Sequence, residues 1–573
     1  MDKHAVALVL EEIATLLEVS GDRNRFRARA YRSAARAIDK LDRDIADVVA
    51  AGELLALAGI GPATARVIEE LVGTGRSEYH ETLRSRAPSG MRELLRVPGL
   101  GAQKIAVLHA ELGVRDLDTL ESAARSGAIA RLRGFGDRTQ ARILEGIPFA
   151  RGVSGRRRFH QVEEVAERVL GLIAATPGVK RAELAGELRR RLETVSGIVV
   201  VAAVEGGPDE LVMGLQRVPG VTWRSVDGLA LFGKLADGLE VEVRLTAPAQ
   251  FGLALLLATG SEQHIAALRP LAAASGVSLE ERHSKAADEV DVYAALRVPF
   301  IPPELRETGA EVALARSSGL PELIELADLH GCFHCHTTYS DGRASVEEMA
   351  EGALALGWRY LGIADHSRNA GYAGGLTPEQ LRAQRRAIDV WNRTRGSELW
   401  LFAGVEADIL PDGSLDYAAQ GEGEVLDGLD YVIGSVHSAF GIGAAAMTAR
   451  LLRALDDRRL VMLGHATGRL LLTREGYPFD IDAVVARAAE TGAVLEINAD
   501  PYRLDLSWQH WPAARERGVP AAINPDAHSV RALYNVRYGV NIARKAGLSR
   551  AQVVNAWPFD EVRAFLSRRK KAP

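Results

Sequence analysis

The stretch GCFHCHTTYSDG, residues 331–342, runs from a short apolar segment into two histidines spaced by one residue, with an aspartate five residues later. Further apolar segments follow it, separated by helical patterns such as SVEEMAEGALALG (345–357). This alternation predicts parallel strands joined by helices, and seven units of this kind predict a distorted (β/α)7 barrel from about residue 329 onward. The predicted strands are GCFHCH (331–336), YLGIADH (360–366), LFAGVEADI (401–409), YVIGSVH (431–437), LVMLGH (460–465), AVLEIN (493–498) and AAINPDAH (521–528).

Histidines and carboxylates recur where these predicted strands end. Side chains at the carboxyl ends of barrel strands converge on one rim, so residues far apart in the chain meet there. A single buried histidine is more often a satisfied core residue than a ligand, and we keep that interpretation for His330 and His510. The recurrence instead predicts one shared metal centre, and its mixed ligands suit zinc, manganese or iron. The nine predicted ligands are His334, His336, Asp341, His366, Glu406, His437, His465, Asp526 and His528.

The motifs of this region resemble, in order, those of the PHP (polymerase and histidinol phosphatase) domain. They are HCHTTYSDG, ADHS, GVEADIL, SVHS, GHATGRLL, EINADPYRLDL and NPDAHS. The resemblance implies that the nine positions bind up to three divalent metals, with Zn²⁺ or Mn²⁺ expected and Glu406 bridging two ions. Clustered metals lower the pKa of a bound water, orient the phosphorus and stabilise the leaving oxygen. Phosphoester hydrolysis by metal-bound water is therefore the expected reaction.

Two arginines accompany these motifs, Arg503 in NADPYRLDL and Arg469 in GHATGRLL. Both are predicted to lie in loops near the rim, where a guanidinium could bind a phosphate oxygen of the substrate. A structural ion pair is an equally good interpretation of either residue.

A repeat occupies the first 150 residues: LAGIGPATARVI (57–68), VPGLGAQKIAVL (97–108) and LRGFGDRTQARI (132–143). Each copy has an apolar residue between two glycines and then a helical pattern, which resembles the helix-hairpin-helix motif of DNA-repair proteins. Glycines allow close approach to a phosphate, and the N–H groups at the following helix start donate to it. The alternative is three ordinary turns between helices. The predicted DNA-binding glycines are Gly59, Gly61, Gly99, Gly101, Gly134 and Gly136.

The region between the repeats and the barrel has an α+β pattern and resembles the core of a family X DNA polymerase, the class that contains DNA polymerase beta. The segments that carry this resemblance are GELRRRLETVSGIVV, VEVRLTAPAQFGLALLLATGSEQH and VYAALRVPFIPPELRE. The whole chain is therefore expected to be multidomain. The expected domains are an all-α N-terminal DNA-binding domain (1–85), a fingers-like helix-hairpin-helix domain (86–150), a palm-like nucleotidyltransferase domain (151–262), a thumb-like domain with a linker (263–328) and the PHP domain (329–573).

The palm departs from the family pattern where the chemistry occurs. The two positions that hold aspartates in the family align with Gly197 and Val199, and the third carboxylate position is Glu242. Phosphoryl transfer needs two Mg²⁺ ions bridged by carboxylates, which one glutamate cannot hold. Mg²⁺ binding and nucleotide addition are therefore doubtful for this palm. The positions that contact the incoming sugar are Leu257 and Ala258 instead of an aromatic pair.

Composition limits the remaining possibilities. No apolar run is long enough to cross a bilayer, which predicts a cytoplasmic protein without a membrane partner. The net charge is −5, but the stretches GDRNRFRARAYRSAARAIDK (21–40) and SGRRRFH (154–160) are strongly basic and suit a phosphate backbone. The chain's two cysteines, Cys332 and Cys335, alternate with histidines, and we do not favour a redox pair.

The leading hypothesis is a DNA-repair enzyme whose PHP domain hydrolyses phosphodiesters. It is expected to degrade DNA 3′ to 5′, to process 3′ ends and to cut at abasic sites, with gapped, nicked or 3′-end-containing DNA as its partner. The polymerase-like half then serves to bind DNA. Three alternatives stay open: an active gap-filling polymerase with PHP proofreading, a non-catalytic DNA-end scaffold, and a small-molecule phosphatase. No protein partner follows from the sequence.

Overall fold

This computed structural model describes residues 1, 3–19, 25–39, 41, 43–85, 90–205, 208–227, 229–279 and 285–571. The chain forms two compact units. The first unit comprises Met1–Ala185, Thr194–Phe251 and Leu472–Arg474, and the second comprises Gly186–Glu193, Gly252–Leu471 and Glu475–Pro573. None of the helices in the described ranges combines the length and the apolar character that a membrane span requires.

The first part of unit one is entirely helical. The three apolar positions that align in the predicted repeat, Ile68, Leu108 and Ile143, are all buried in its two cores. The basic stretch predicted from the sequence forms the second helix, and its residues 21–24 and 40 lie outside the described ranges. The helices are α1 (Lys3–Val19), α2 (Arg25–Asp39), α3 (Ile45–Ala50), α4 (Pro62–Thr74), α5 (Glu78–Arg84), α6 (Met91–Leu94), α7 (Ala102–Leu112), α8 (Leu117–Arg125) and α9 (Asp137–Gly152).

The three predicted glycine turns lead into α4, α7 and α9. The first glycine of each pair, Gly59, Gly99 and Gly134, has a φ of 92°, 80° and 88°, a conformation that only glycine adopts without strain. The second glycine of each pair is the N-cap of the helix that follows. Each turn therefore ends at the free N–H groups of a helix start, as a phosphate-binding hairpin requires.

The rest of unit one is built on a five-stranded sheet. The strands follow the order β2 (Val179–Ala185), β4 (Gly197–Val204), β7 (Glu240–Thr246), β6 (Ala230–Leu235) and β5 (Val221–Asp227). Strands β4 and β7 are parallel, and the other neighbours are antiparallel. The expected turn between β2 and β4 also contains a helical turn, α11. The elements of this segment are β1 (Arg157–Arg158), α10 (Phe159–Ala174), β2 (Val179–Ala185), α11 (Gly186–Arg189), β3 (Thr194–Val195), β4 (Gly197–Val204), α12 (Pro208–Leu215), β5 (Val221–Asp227), β6 (Ala230–Leu235) and β7 (Glu240–Thr246), of which α11 belongs to unit two.

Unit two begins with a small helical core formed by α13 (Phe251–Thr259), α14 (Glu262–Ser275), α15 (Glu289–Ala295) and α16 (Ala310–Ser317). Buried charges reinforce it, because Arg306 and Arg189 both donate hydrogen bonds to the carboxylate of Glu289. Burial alone would raise the pKa of Glu289, but the two guanidinium groups hold it below its usual value. The carboxylate therefore stays charged inside this core.

The remainder of unit two is the predicted barrel. Its strands are buried on both faces because helices surround them, which explains why they read as continuous apolar runs. Its elements are β8 (Gly331–Cys335), α17 (Val346–Ala355), β9 (Tyr360–Ile363), α18 (Pro378–Arg395), β10 (Trp400–Ala403), β11 (Glu406–Asp408), α19 (Glu424–Asp427), β12 (Ile433–Ser435), α20 (Ala444–Asp456), β13 (Met462–Leu463), α21 (Ile481–Thr491), β14 (Val494–Asn498), α22 (Trp511–Glu516), β15 (Ala521–Asn524), α23 (Val536–Lys545) and α24 (Phe559–Lys571).

The barrel strands form two parallel sheets, of order β10-β9-β8 and β11-β12-β13-β14-β15. Two single parallel bridges connect the two sheets and nearly close the barrel: Cys335 of β8 pairs with Ala527, and His366, which follows β9, pairs with Glu406 of β11. The predicted strand LFAGVEADI is in fact two strands, β10 and β11. The break occurs at Gly404, where any side chain would overlap the ring of Tyr431. With this one correction, the predicted (β/α)7 fold is confirmed.

Candidate metal centre

The carboxyl ends of the barrel strands bring all nine predicted ligands together. Their nitrogen and oxygen atoms form four overlapping groups, and the atoms within a group lie within 4.8 Å of one another. The groups are His336, Asp341, His366 and His528; His334, His336 and Asp526; His334, Glu406 and His465; and His366, Glu406 and His437. Across the described ranges, the structure gathers no other set of three such side chains in this way.

Glu406 lies at the middle of the cluster and is only 1% exposed. Its Oε1 is 3.2 Å from Nε2 of His334, 3.0 Å from Nε2 of His465 and 3.3 Å from Nε2 of His437. Its Oε2 is 2.8 Å from Nδ1 of His366. One carboxylate thus faces four imidazoles, which fits the prediction that Glu406 would help to hold two divalent ions.

The opposite side of the cluster is more open. Asp526 is buried and its Oδ1 lies 3.2 Å from Nε2 of His336. Asp341 and His528, whose Oδ1 and Nε2 are 3.2 Å apart, have side chains 38% and 37% exposed. These two residues therefore form the edge at which a substrate phosphate can reach the centre.

Several buried polar atoms of the cluster form no hydrogen bond with the described part of the chain. They include both ring nitrogens of His336, Nε2 of His334, Nδ1 of His465 and Oε2 of Glu406. A buried polar atom without a partner costs about 1–3 kcal/mol, so such a concentration needs an explanation. Divalent cations would satisfy these imidazole and carboxylate atoms together, and the residues therefore fit a metal cluster.

Backbone strain marks three of the predicted ligands. His334, His465 and Asp526 have positive φ values of 58°, 22° and 51°, which non-glycine residues seldom adopt. Strain of this kind costs of order 1–3 kcal/mol and is concentrated at functional sites. At His334 it coincides with an irregularity in the pairing of β8 with β9. His334 and His336 are two residues apart and both reach the cluster, whereas Cys335 between them does not take part in it.

Two buried carboxylates that were not predicted from the sequence accept hydrogen bonds from the predicted ligands and orient them. Glu496 accepts a hydrogen bond from Nδ1 of His334 at 2.6 Å and from the backbone N–H of His465 at 2.7 Å. Asp408 accepts from Nδ1 of His437 at 2.5 Å. Such bonds fix the tautomer and the direction of a metal-binding imidazole. A sequence signal existed only for Asp408, which lies two residues after Glu406 and hence on the same strand face.

Carboxylates also control the protonation of the cluster. Burial alone would lower the pKa of His437, but Glu406 and Asp408 raise it to about 10. Burial alone would also lower the pKa of His528. The carboxylates around it raise that pKa to about 9, and the hydrogen bond to Asp341 contributes most to the increase. Metal ligands must be deprotonated, so binding of cations here displaces protons from these two imidazoles.

The two predicted phosphate-binding arginines have different surroundings. Arg503 lies at the centre, with its Nε 3.7 Å from Oδ2 of Asp526. Arg469 donates instead to the backbone carbonyls of Arg503 (3.0 Å) and Leu504, and to Oε1 of Glu193 (3.2 Å). These contacts favour the structural interpretation of Arg469, which holds the loop that carries Arg503.

The palm sheet shows what surrounds Glu242. In the parallel register of β4 and β7, Val199 is opposite Glu242, so one of the two aligned aspartate positions holds an apolar residue beside it. Arg244 donates from its Nε to Oε1 of Glu242 at 2.6 Å. In the described ranges, Glu242 belongs to no group of three potential ligands. The sheet therefore has the frame of a palm without a carboxylate cluster.

Family models of known domains match four segments of the chain. They are a helix-hairpin-helix domain (residues 1–77), a SAM-like helix-hairpin-helix tandem (91–147), a DNA polymerase beta thumb (254–307) and a PHP domain (333–499). The four matches follow the same order as the structural elements described above.

Curated relatives fall into two kinds. Probable phosphatases of Syntrophotalea carbinolica and Clostridium acetobutylicum are 24% and 29% identical over 245 and 213 residues. These matches cover 39% and 34% of this chain, and 90% and 77% of the relatives. The DNA polymerase/3'-5' exonuclease PolX of Bacillus subtilis is 35% identical over 580 residues, covering 99% of this chain and 100% of the relative. This similarity along both whole chains shows that the protein belongs to the PolX family, in which a family X polymerase core is joined to a metal-dependent PHP domain.

Proposed function

We propose that this protein is a metal-dependent DNA nuclease whose PHP domain degrades DNA 3′ to 5′, removes blocking groups from 3′ ends and cuts at abasic sites. The observation that carries the proposal is the contrast between a complete set of nine buried or half-buried ligands in the barrel and a palm face with one of three carboxylates. The expected substrate is gapped, nicked or 3′-end-containing DNA in the cytoplasm.

The nine ligands would hold up to three divalent ions, with Zn²⁺ and Mn²⁺ as the expected species. Such ions supply the activated nucleophile and the charge neutralisation that phosphodiester hydrolysis needs. The protein residues orient the substrate: Asp341 and His528 leave the edge of the centre open, and Arg503 lies where a guanidinium can bind a phosphate oxygen.

The helix-hairpin-helix turns are proposed to bind the DNA backbone. A side chain built at Gly61, Gly101 or Gly134 would meet no atom within 4 Å, so these turns have free space for a phosphate. The third turn is the least favourable, because Asp137 begins α9 and places a carboxylate where the helix start would attract an anion. Contacts of this kind recognise the backbone and carry no sequence preference.

Gap-filling DNA synthesis is the second candidate function. The relative that matches the whole chain is named a DNA polymerase as well as an exonuclease, and this observation favours the candidate. The surroundings of Glu242 oppose it, because two Mg²⁺ ions need several bridging carboxylates. A DNA-end scaffold and a small-molecule phosphatase are further alternatives, and DNA-stimulated nuclease turnover would argue against both.

The decisive experiment measures 3′ to 5′ degradation of a labelled oligonucleotide by the full chain in Mn²⁺. We expect Asp526→Ala and His336→Ala each to reduce the rate by at least about 100-fold. This is more than the ~10–100-fold loss typical of residues that hydrogen-bond to metal ligands. DNA binding should stay nearly unchanged, because the hairpin turns lie in a different compact unit.

Glu242→Ala is the matched control, since it removes a carboxylate of similar size from the palm sheet and none from the barrel. It should retain the nuclease rate of the unmodified protein. Full nuclease activity in both Asp526→Ala and His336→Ala would disprove the proposed function.

A further inference from the structure

The metal centre has an exposed aromatic neighbour. Tyr372 is 74% exposed, the second most exposed among the large hydrophobic side chains of the described ranges. Its ring centroid is nevertheless only 6.2 Å from the ring of His366 and 6.3 Å from the ring of His437. A large flat side chain therefore stands beside two ligands with most of its surface open to solvent.

The loop that carries Tyr372 is firmly held. Asn369 donates from its backbone N–H to Asp416 and from its side chain to Asp408. The flanking residues Ala370 and Ala373 are buried, with exposures of 0% and 4%. Tyr372 is thus exposed between two buried alanines, in a loop that hydrogen bonds hold in place.

Two close backbone contacts fix the end of this loop. The backbone N–H of Leu376 donates to the carbonyl of His366 at 2.9 Å, which closes the loop directly onto a metal ligand. At Gly375, a Cβ would lie 2.0 Å from the carbonyl oxygen of Ser367, so only glycine fits there. The backbone of the loop that carries Tyr372 is therefore fixed next to His366.

We infer that Tyr372 is a substrate-binding residue that stacks on the base of a nucleotide whose phosphodiester lies at the metal centre. Covering an aromatic ring with another flat ring is favourable in water, and every nucleobase offers such a face regardless of sequence. This inference rests on the proposed nuclease function and deepens it, because it assigns recognition of the base to a residue that binds no metal. It predicts a substrate that carries a base next to the scissile bond, in preference to a bare phosphate ester.

The test compares two oligonucleotides with the full protein in Mn²⁺. One ends in ordinary nucleotides, and the other ends in tetrahydrofuran residues, which have the sugar and phosphate but no base. Stacking of one base is worth ~1–3 kcal/mol, so Tyr372→Ala should lower kcat/KM on the ordinary end by about 5- to 100-fold. The same substitution should leave the rate on the tetrahydrofuran end within about twofold, because the stacking partner is already missing there.

Tyr372→Phe is the matched control, since it keeps the ring and removes the hydroxyl, and it should retain the rate on both ends. The metal content of all three proteins should be equal. Equal losses on both ends, or a phenylalanine variant as impaired as the alanine variant, would overturn the stacking role. An active unmodified protein whose alanine variant is unimpaired would refute only this inference, whereas an unmodified protein without metal-dependent nuclease activity would refute the proposed function as well.

Discussion

The palm sheet around Glu242 and the barrel rim around Glu406 both carry carboxylates, but the partners of those carboxylates differ. Three acids among the described side chains of the sheet are paired with a cation: Glu183 with Arg181, Glu242 with Arg244, and Glu240 with Lys234. At the rim, Glu406 faces imidazoles of four histidines and is almost completely buried.

This difference decides which region can bind metal. Guanidinium and ammonium groups have no lone pair to offer a cation, and they compete with it for the carboxylate. An imidazole becomes a ligand itself once its proton is displaced. The sheet therefore compensates its negative charge within the protein, whereas the rim keeps its carboxylates and imidazoles available to metal ions.

Among the tests of this comparison, removal of metal should have the largest effect. Treatment with a chelator should abolish nuclease activity completely, and Mn²⁺ should restore it. Thermal unfolding should show a parallel loss of stability, because a ligand present at 100 times its Kd contributes about 2.7 kcal/mol. If the chelated protein kept its full nuclease rate, activity would not depend on metal at the barrel rim. The proposed difference in metal binding between the rim and the sheet would then be wrong.

Substitution of a carboxylate that hydrogen-bonds to a predicted ligand should have the next largest effect. Glu496→Gln keeps the size of the side chain but gives His334 a weaker acceptor than the carboxylate. We expect metal affinity or nuclease activity to fall by about 10- to 100-fold, which is typical for such residues. Measurement of the Mn²⁺ concentration that gives half-maximal activity separates the two effects. An unchanged Mn²⁺ dependence together with an unchanged rate would contradict a positioning role for Glu496.

Much of the barrel could be predicted because its strands end in ligands at regular positions. His366, His437 and His465 each follow an apolar run, so the fold and the candidate centre are visible in one pattern. Glu496 escaped notice because an acid inside an apolar strand has no sequence feature that distinguishes a buried hydrogen-bond acceptor from any other carboxylate. Only the spatial proximity of His334 reveals its role.

Long-range contacts account for the other differences. The division of LFAGVEADI into β10 and β11 depends on the close approach of Gly404 to Tyr431, which lies 27 residues later in the chain. Likewise, Arg469 was an equal candidate for phosphate binding and for an ion pair, and local sequence has no information about Glu193, its partner 276 residues away. Sequence patterns within a segment predict its helices and strands and the residues at the ends of barrel strands. They do not predict which polar groups pair with residues far away in the chain.

Arg469 offers a test of intermediate size. Arg469→Ala removes the hydrogen bonds to the carbonyls of Arg503 and Leu504, and it should lower kcat/KM of the nuclease by about 3- to 30-fold, less than the ~100-fold cost of a 1 Å misplacement. Glu193→Gln is the matched variant, because it weakens the ion pair but leaves those carbonyl contacts in place. Its effect should be smaller than that of Arg469→Ala. The reverse order would indicate that the ion pair, and not the support of the loop, matters for activity.

Glu242 provides the smallest expected effect and the sharpest challenge to the comparison. Its carboxylate forms a partly exposed ion pair with Arg244, and such pairs contribute ~0–1 kcal/mol. Glu242→Ala should therefore change neither the nuclease rate nor the outcome of a gap-filling assay in Mn²⁺, and it should shift the free energy of unfolding by less than about 1 kcal/mol. Template-directed extension by the unmodified protein that disappears in Glu242→Ala would mean that this carboxylate leaves Arg244 to bind metal with the DNA and nucleotide. In that case the ion pairs of the sheet would be a resting state of a working palm, and the two regions would differ in when they bind metal rather than in whether they do.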